Sequence, residues 1–333
     1  MLAMRLHQPA AVSQAPLRLE DVPVPQPRAD EVLIRLEVCG VCHTDLHLAE
    51  GDLPPRRAPL IPGHQAVGTV EQVGPGVTSP APGARVGVAW LYRSCGRCGF
   101  CRTGRENLCE SAVFTGYDVD GGYAQYLVAP AEFVYPIPAH LTSQDAAPLL
   151  CAGIIGYRAL RLAEVEPGCR VGLFGFGASA HLALQVARHW GCDVFVVTRN
   201  PDHRRLADAL GATWVGGPQD RPTELLDAAV VFAPSGAVVV AALARLRAGG
   251  TLAINAVHLD GIPAFDYALL YGERTLRSVS NSTRRDGREF LTLAAAIPVR
   301  VTTELFALRE ANAVLGRLKQ GTITGAAVLD VTA

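Results

Sequence analysis

Val171-Gly-Leu-Phe-Gly-Phe-Gly-Ala-Ser-Ala180 is the stretch that decides the fold of the second half of this 333-residue chain. An apolar run predicts a strand over Arg170–Phe174, and the G-x-G-x-x-A pattern after it predicts a turn into a helix. Gly175 suits a tight turn, Gly177 lets a pyrophosphate approach the backbone, and Ala180 lets helix and strand pack closely. The pattern is weak by itself, so its interpretation as a dinucleotide site depends on its context.

Helical and strand patterns alternate on both sides of this stretch. The predicted helices cover residues 152–163, 179–190, 201–210 and 238–247, and the predicted strands cover residues 170–174, 193–198, 213–215, 229–232 and 251–255. Such alternation predicts a parallel, doubly wound sheet of the Rossmann type.

The end of the second predicted strand bears on the choice of cofactor. An NAD-binding protein normally offers Asp or Glu to the ribose there, whereas this chain reads Val197-Thr-Arg-Asn200. No carboxylate repels a 2′-phosphate, and Arg199 can pair with one. Thr198 and Arg199 therefore predict cofactor contacts and a preference for NADP(H) over NAD(H). The alternative is that Arg199 is a solvated loop residue.

The first half of the chain has a different pattern, with short alternating apolar runs punctuated by Gly and Pro. It predicts an antiparallel, barrel-like β region with long loops. We expect this domain to span residues 1–151 and, after the chain returns, 288–333, with a metal lobe at 92–112. The dinucleotide domain then spans 152–287. The tail is expected to contain one more helix, over residues 308–319.

Composition excludes several kinds of partner. With 49% hydrophobic residues, 18% charged residues and a net charge of -1, the chain predicts neither a disordered protein nor a nucleic-acid-binding surface. The longest apolar stretch, residues 228–246, is broken by Pro234, Ser235 and Gly236, so no membrane span is expected. No leader is evident at the start, and the nine cysteines are spaced for metal rather than disulfides, so we expect a cytoplasmic protein.

Four cysteines form one compact motif, C-x2-C-x2-C-x7-C, made by Cys95, Cys98, Cys101 and Cys109. The two-residue gaps let neighbouring thiolates converge on one tetrahedral ion, and four thiolates leave no open position, as in a structural zinc site. An iron–sulfur cluster normally carries a Pro after its last cysteine, which is absent here. Disulfides would require an oxidising compartment.

Other candidate ligands are scattered in three segments, Cys39-Gly-Val-Cys-His-Thr-Asp-Leu-His47, Pro62-Gly-His-Gln65 and Leu149-Leu-Cys-Ala-Gly153. Taken singly, each has a plain structural interpretation. The cysteines could be small core residues and His64 a hydrogen-bonded loop histidine.

Taken in order, VCGVCHTDLH (38–47), IPGHQAVGTVEQVGPGV (61–77), the four-cysteine lobe and PLLCAG (148–153) resemble the zinc-dependent medium-chain alcohol dehydrogenases, especially those of bacteria and yeast. The resemblance extends over nearly the whole chain. It implies a β-rich GroES-like catalytic domain joined to a Rossmann domain and two zinc ions per chain. It also implies hydride transfer between a nicotinamide cofactor and a small primary or secondary alcohol or its aldehyde.

By position, the resemblance implies a catalytic zinc held by Cys42, His64 and Cys151. Two thiolates, one imidazole and an open fourth position are typical of catalytic zinc, which lowers the pKa of a hydroxyl it binds. Asp45 is then expected to hold His64 in its ligating tautomer. Cys39 matches no ligand position.

The resemblance also assigns roles to the neighbouring polar residues. Thr44 is expected to contact the substrate hydroxyl, and His47 to pass its proton towards solvent. His43 is expected to contact the pyrophosphate. Trp90 is expected to narrow the substrate pocket, although a core tryptophan is an alternative interpretation.

Two positions depart from the family pattern. Gln65 stands where Glu usually follows the ligand histidine, so the field behind the metal should be more positive. Ala326 stands where Arg often follows the glycine that corresponds to Gly325.

The related enzymes also imply a homo-oligomer, a dimer or tetramer. The alternatives are the same fold acting on a polyol or aromatic alcohol, and an NADPH-binding redox sensor without turnover.

Overall fold

The chain divides into two compact units. A computed structural model describes residues 1–333; one unit comprises Met1–Cys151, Asn281–Ala296 and Val301–Ala333, and the other Ala152–Ser280 and Ile297–Arg300. The first segment of the first unit ends at Cys151. The chain returns at Asn281 rather than at residue 288, because residue 288 lies inside a helix that the sequence patterns did not reveal.

Nine α-helices lie along the chain. They are α1 (His43–Glu50), α2 (Gly99–Arg102), α3 (Ser143–Pro148), α4 (Ile154–Leu162), α5 (Ala178–His189), α6 (Pro201–Ala209), α7 (Gly236–Leu243), α8 (Arg284–Ala296) and α9 (Ala311–Gln320). None of them combines the length and the apolar character that a membrane-crossing helix needs.

The strands number seventeen. They are β1 (Leu2–Leu6), β2 (Leu17–Asp21), β3 (Glu31–Val41), β4 (Ala66–Val73), β5 (Arg85–Val88), β6 (Leu91–Arg93), β7 (Val113–Phe114), β8 (Tyr126–Pro130), β9 (Val134–Pro136), β10 (Arg170–Phe174), β11 (Asp193–Val197), β12 (Trp214–Gly216), β13 (Leu226–Val231), β14 (Leu246–Ile254), β15 (Thr275–Ser278), β16 (Thr303–Ala307) and β17 (Ala326–Asp330).

The first unit is built on a seven-stranded sheet with the order β16-β17-β3-β4-β5-β9, and β8 also pairs with β3. β3 is the longest strand and runs antiparallel to β17, β4 and β8. Its buried face carries Val32, Ile34 and Leu36 into the main core of this unit. The predicted antiparallel β region is confirmed, and β3 leads directly into the segment that carries Cys42.

The second unit contains a six-stranded parallel sheet with the order β12-β11-β10-β13-β14-β15. This is the strand order of a doubly wound dinucleotide-binding fold, and the order reverses between β10 and β13. Because such a sheet is covered on both faces, its strands are almost continuously buried, as in β13. The predicted parallel sheet is confirmed.

Two predicted helix boundaries were wrong. The helix predicted to reach residue 247 ends at Leu243, because Leu246 pairs with Leu226 and begins β14. Helix α8 was missed, because its charged start, Arg284-Arg-Asp-Gly, carries no apolar periodicity. Tertiary pairing overrode local propensity at the first position. At the second, α8 belongs to the first unit and buries Phe290, Leu291 and Ala294, a pattern that begins only after the charged start.

Candidate functional site

Cys42 lies immediately before helix α1, and the start of that helix sets its position. The backbone N–H of Cys42 donates to Asp45 Oδ2 at 2.9 Å, which satisfies an amide that the helix start leaves free. Thr44 Oγ1 lies 3.7 Å from Cys42 Sγ. The first turn of α1 therefore holds a thiol and a hydroxyl side by side.

Cys42, His64 and Cys151, which we call the three-donor group, converge from three separate segments. The sulfurs of Cys42 and Cys151 are 3.9 Å apart, and the ligand atoms of all three residues lie within 4.8 Å of one another. Cys151 is carried by a π-helical turn, Leu149–Gly153, that follows Pro148. A proline has no N–H to donate, and π-turns often occur where a helix places a functional side chain.

The segment before His64 leaves no room for a side chain. Gly63 has a φ of +98°, and a Cβ there would lie 2.4 Å from Tyr123 Cδ1. Its backbone N–H donates to Asp45 Oδ1 at 3.1 Å. Glycine at this position therefore allows the chain to pass close to Tyr123 and to bring His64 next to Asp45.

Electrostatic interactions in the three-donor group are strong because it is buried. His64 Nδ1 lies 3.4 Å from Asp45 Oδ1, with both side chains 2% exposed. Burial alone lowers the pKa of His64, but the Asp45 charge overcomes it and raises the pKa to about 10. A hydrogen bond from Cys151 lowers the pKa of Cys42 well below its usual range, and the pKa of Cys151 rises in turn. A buried thiolate beside an oriented imidazole suits a soft divalent cation.

Three aromatic rings form a wall beside the three-donor group. Trp90 meets His64 edge-on with ring centroids 4.9 Å apart, and it stacks on Phe114 at 5.0 Å and on Tyr117 at 5.9 Å. The Trp90 indole Nε1–H donates to Asn281 Oδ1 at 3.0 Å. Trp90 is half-buried, and its position is fixed both by the stacked rings and by the hydrogen bond from its indole nitrogen.

The remaining polar residues of α1 face different surroundings. His43, the first residue of the helix, is exposed. Thr44 and His47 are three residues apart, so they lie on the same face of the helix. His47 Nδ1 lies 3.0 Å from the exposed carboxylate of Asp52. The chain therefore has polar groups leading from the three-donor group towards solvent.

Two core residues near the three-donor group stay outside it. Cys39 is fully buried, and its thiol donates to the carbonyl of Gly40 at 3.5 Å. Gln65 is buried, and a Cβ at Gly40 would lie 3.0 Å from its side chain. The amide of Gln65 therefore packs over the glycine that follows Cys39.

The four cysteines of the lobe form a second group of ligand atoms, also within 4.8 Å of one another. Backbone N–H groups approach the sulfurs, as from Cys98 to Cys95 Sγ at 3.4 Å and from Cys101 to Cys98 Sγ at 3.5 Å. The backbone amides of Arg97 and Cys98 lower the pKa of Cys95 to about 6. Thiolates stabilised in this way are the ligands that zinc needs.

A buried ion pair fastens the lobe to helix α8. Arg284 donates to both carboxylate oxygens of Glu106, and its guanidinium carbon lies 4.3 Å from the centre of the Phe133 ring. The backbone N–H of Arg284 also donates to Glu106, at 2.8 Å. Burial raises the pKa of Glu106, but the hydrogen bonds from Arg284 outweigh it and the pKa is lowered overall.

In the second unit, the glycine loop lies between β10 and α5. Gly175 has a φ of +90°, and a Cβ there would meet the backbone nitrogen of Ala233 at 2.8 Å. A Cβ at Gly177 would meet nothing within 4 Å, so the start of α5 is open. Ala180 is completely buried. The loop lies at the carboxyl end of β10, where open parallel sheets bind their ligands.

The end of β11 carries the residues that bear on the 2′ position of a ribose. Thr198 is buried and its backbone N–H donates to Gly216, whereas Arg199 is exposed. The Arg204 guanidinium also reaches this region, with Nη1 3.0 Å from where a Cβ of Gly217 would lie. Arg199 and Arg204 therefore lie near the end of β11, and residues 197–200 include no carboxylate. The nearby carboxylate of Asp220 accepts the backbone N–H of Gly217 at 2.7 Å.

Comparison with known proteins places this architecture in a family. The alcohol dehydrogenase GroES-like domain matches residues 28–139, and the zinc-binding dehydrogenase domain matches residues 180–296. A probable alcohol dehydrogenase of Mycobacterium tuberculosis is 46% identical over 99% of this chain and 97% of its own length. The chain belongs to the medium-chain zinc alcohol dehydrogenase family.

Other relatives agree with this assignment. An alcohol dehydrogenase of Geobacillus stearothermophilus is 40% identical over 95% of this chain and 96% of its own length. The solved alcohol dehydrogenase of the archaeon Aeropyrum pernix is 30% identical and superposes with a TM-score of 0.87, covering 99% of this chain and all of that one. The protein is therefore an alcohol dehydrogenase of the zinc-type fold, an oxidoreductase whose family acts on small-molecule alcohols or aldehydes.

Several residues around the site could not be found from the sequence of this dehydrogenase. Asn281 is 191 positions away from Trp90, and no motif links the two. Asp52 is nearer to its partner His47, but its exposed carboxylate resembles any surface residue. Phe114 and Tyr117 follow the lobe in sequence and carry no periodic signal for the aromatic wall.

Proposed function

We propose that this alcohol dehydrogenase holds two zinc ions per chain and depends on one of them for turnover. The convergence of Cys42, His64 and Cys151 within 4.8 Å is the observation that carries the proposal. Three protein donors leave a coordination position free for a substrate oxygen, whereas the four thiols of the lobe leave none. The first site is accordingly assigned to catalysis and the second to structure.

The chemistry divides between the bound groups and the residues of the chain. Zinc supplies Lewis acidity, and a nicotinamide supplies or accepts the hydride. Thr44 Oγ1, beside Cys42, is positioned to take the proton of the substrate hydroxyl. His47, on the same face of α1 and paired with Asp52, is positioned to pass that proton to solvent. Asp45 orients the imidazole of His64.

For the cofactor, we propose that the glycine loop and the open start of α5 hold the pyrophosphate. Backbone N–H groups at a helix start attract phosphate oxygens, and Gly177 leaves space for a close approach. His43 is proposed to add a contact to the pyrophosphate. Ala326, a buried first residue of β17, offers no cation for this purpose.

We further propose a preference for NADP(H) over NAD(H). Arg199 is exposed at the end of β11, Arg204 lies nearby, and residues 197–200 include no carboxylate that would bind the ribose hydroxyls and repel a 2′-phosphate. Paired hydrogen bonds from an arginine to phosphate are strong and directional. The preferred substrates are small primary or secondary alcohols, because Trp90 and its stacked neighbours narrow the space beside His64.

A comparison of the two cofactors tests these assignments. Steady-state kinetics should give kcat/KM for NADPH at least about 10-fold above that for NADH, and Arg199→Ala should remove most of the difference. Equal or higher kcat/KM with NADH would contradict the preference without affecting the metal assignment. A panel of alcohols would separate small aliphatic substrates from polyols and aromatic alcohols.

Metal analysis separates the enzyme from a cofactor-binding sensor. About two zinc ions per chain are expected, and removal of the more labile one should abolish turnover while NADPH still binds. A protein that binds NADPH but holds about one zinc and reduces no aldehyde would be the sensor.

Sedimentation or light scattering should give a dimer or tetramer, as we propose for this chain. All nine cysteines are free, which suits a reducing compartment such as the cytoplasm.

A further inference from the structure

Two cysteines belong to neither metal-ligand group nor to the surroundings of the three-donor group. Cys169 and Cys192 lie in the second unit, directly before β10 and β11, with their sulfurs 3.8 Å apart. Neither belongs to a cluster that could hold a metal ion. We propose that Cys169 and Cys192 are a disulfide-forming site, which a small-molecule disulfide such as oxidised glutathione converts to an intramolecular cross-link.

The pairing of the two strands fixes the geometry of this thiol pair. Arg170 is opposite Asp193 in the parallel sheet, so the preceding residues Cys169 and Cys192 are also opposite each other. The backbone N–H of Asp193 donates to the carbonyl of Cys169 at 3.0 Å. Neighbouring strands are about 4.8 Å apart, which lies within the Cα separation that a disulfide spans. The cross-link therefore requires little movement of the backbone.

The two thiols differ in exposure and in hydrogen bonding. Cys169 is half-buried, and burial raises its pKa to about 12, whereas Cys192 is 5% exposed. The Cys192 thiol donates to the carbonyl of Glu166 at 3.3 Å, and the backbone N–H of Cys169 donates to the same oxygen. Glu166 therefore keeps a donor when Cys192 loses its proton. Because the thiolate is the attacking species, the raised pKa of Cys169 makes the exchange slow near neutral pH and faster as the pH rises.

The exchange proceeds in two balanced steps. The Cys169 thiolate, the more accessible, attacks one sulfur of the small disulfide and expels the first small thiolate, leaving a mixed disulfide. The Cys192 thiolate then attacks the sulfur of Cys169 and expels the second. Two electrons pass from the cysteine pair to the small disulfide, and the two cysteine protons end on the released thiols.

The position of the pair predicts what the cross-link changes. Cys169 precedes β10, and the glycine loop follows it, so the pair and the cofactor loop lie at opposite ends of the strand. A cross-link at the amino end closes a loop between residues 23 positions apart and restricts the unfolded chain. Oxidation should therefore stabilise the second unit and leave catalysis nearly unchanged.

The test uses the full-length, zinc-loaded protein. After treatment with oxidised glutathione and alkylation without reduction, a tryptic digest should contain peptide 162–170 joined to peptide 189–199, two hydrogens lighter than their sum. Cys192→Ala should instead trap glutathione on Cys169, and Cys169→Ser should give neither product. The oxidised wild type should gain roughly 5 °C in Tm, with kcat/KM within about twofold.

Two results would overturn the proposal. One is that both peptides remain separately alkylated at oxidant concentrations that leave both zinc ions bound. The other is that glutathione or a cross-link appears first at the cysteines of the lobe or of the three-donor group, with release of zinc. Measurements on the wild type alone decide between these outcomes, so a poorly folded variant does not prevent the test.

Discussion

The two groups of metal-ligand side chains are assembled in opposite ways. Cys95 and Cys109 of the lobe are 14 positions apart, whereas Cys42 and Cys151 of the three-donor group are 109 positions apart. The lobe has only a small apolar cluster of its own, while His64 is almost completely buried beside the main core of its unit. If the lobe binds zinc as proposed, it needs that metal in order to fold, whereas the three-donor group is held in place by the core.

The largest expected effect comes from removing a donor of the three-donor group. Cys151→Ser should lower kcat/KM by about 10³-fold or more and reduce the metal content from about two zinc ions to one, because a Lewis acid contributes several kcal/mol to the barrier. Circular dichroism and Tm should change little, since the core holds the segment. Zinc analysis and steady-state kinetics measure the effect.

Cys39→Ser is the matched control, because it makes the same change at a neighbouring core thiol outside the donor group. It should keep both zinc ions. If Cys151→Ser held one zinc ion and kept full activity, the catalytic role of the three-donor group would be contradicted.

A cysteine of the lobe should affect stability instead of chemistry. Cys98→Ser is expected to lower the free energy of unfolding by about 3 kcal/mol and to expose residues 92–112 to protease, because the metal replaces a core there. The kcat/KM of the folded fraction should stay within about threefold. Ser111→Ala, at an exposed residue of the lobe that offers no ligand atom, serves as control. A loss of turnover with unchanged stability would contradict the structural role.

Asp45 tests whether a neighbour tunes the three-donor group. Asp45→Asn keeps the size and the acceptor for the Cys42 amide but removes the charge beside His64. Competition with a chelator should show zinc affinity at this group about 10–100-fold lower, with the lobe zinc unaffected. The variant Asp52→Asn, at an exposed carboxylate just beyond the end of α1, should retain wild-type affinity. Equal zinc affinity in the two variants would contradict the proposal that Asp45 positions His64 for the metal.

The attachment of the lobe depends on Glu106. Glu106→Gln should cost about 2 kcal/mol near neutral pH, because it removes the buried carboxylate of the pair and leaves Arg284 only the exposed carboxylate of Glu132. The folded pKa of Glu106 lies below its ordinary value of 4.5, so its contribution is complete above that pH and is lost as the pH falls further. Urea unfolding of both proteins should therefore converge in acid.

Glu132→Gln provides the control for that prediction. Glu132 meets the same guanidinium at 3.2 Å, but its side chain is 82% exposed. The change should cost less than about 0.5 kcal/mol. A similar loss from both variants would mean that burial does not decide the strength of this attachment.

The smallest effect on activity is expected from a change at Asn281. This residue affects the three-donor group only through Trp90, whose indole N–H it accepts. Asn281→Ala leaves the indole N–H of Trp90 without its acceptor, so the ring should move more freely. The ratio of kcat/KM for a branched over a linear small alcohol should rise about 3–10-fold, with kcat for the linear one within about twofold. Asn281→Asp keeps an acceptor and should restore the original ratio. An unchanged ratio in Asn281→Ala would show that the hydrogen bond to Trp90 does not determine substrate specificity.

The features that could be predicted from the sequence are those that depend on residues close together in the chain. The strand β10 and the start of α5 were predicted to within one residue, since apolar runs and glycines determine short segments. The lobe cysteines are close in the chain, so spacing alone indicates that their sulfurs can meet. The end of α7 was wrong because Leu246 finds a strand partner in Leu226, which no local pattern contains.

What the sequence by itself determined is the set of elements and the chemical types of the ligands. The parallel sheet, the antiparallel region, the four-cysteine motif and the identity of Cys42, His64 and Cys151 as candidates all follow from residue patterns and from family resemblance. These properties depend on neighbours along the chain or on residue type.

Only the tertiary structure decided which distant groups meet and how each behaves there. It brought Cys151 to within 3.9 Å of Cys42, gave Trp90 its acceptor at Asn281 and set Cys169 against Cys192. Such contacts depend on strand register and on a core that excludes water, and both arise only when segments far apart in the chain pack together. The same packing places Asp45 and Cys42 against His64, and although burial by itself lowers the pKa of His64, these neighbours raise it to about 10.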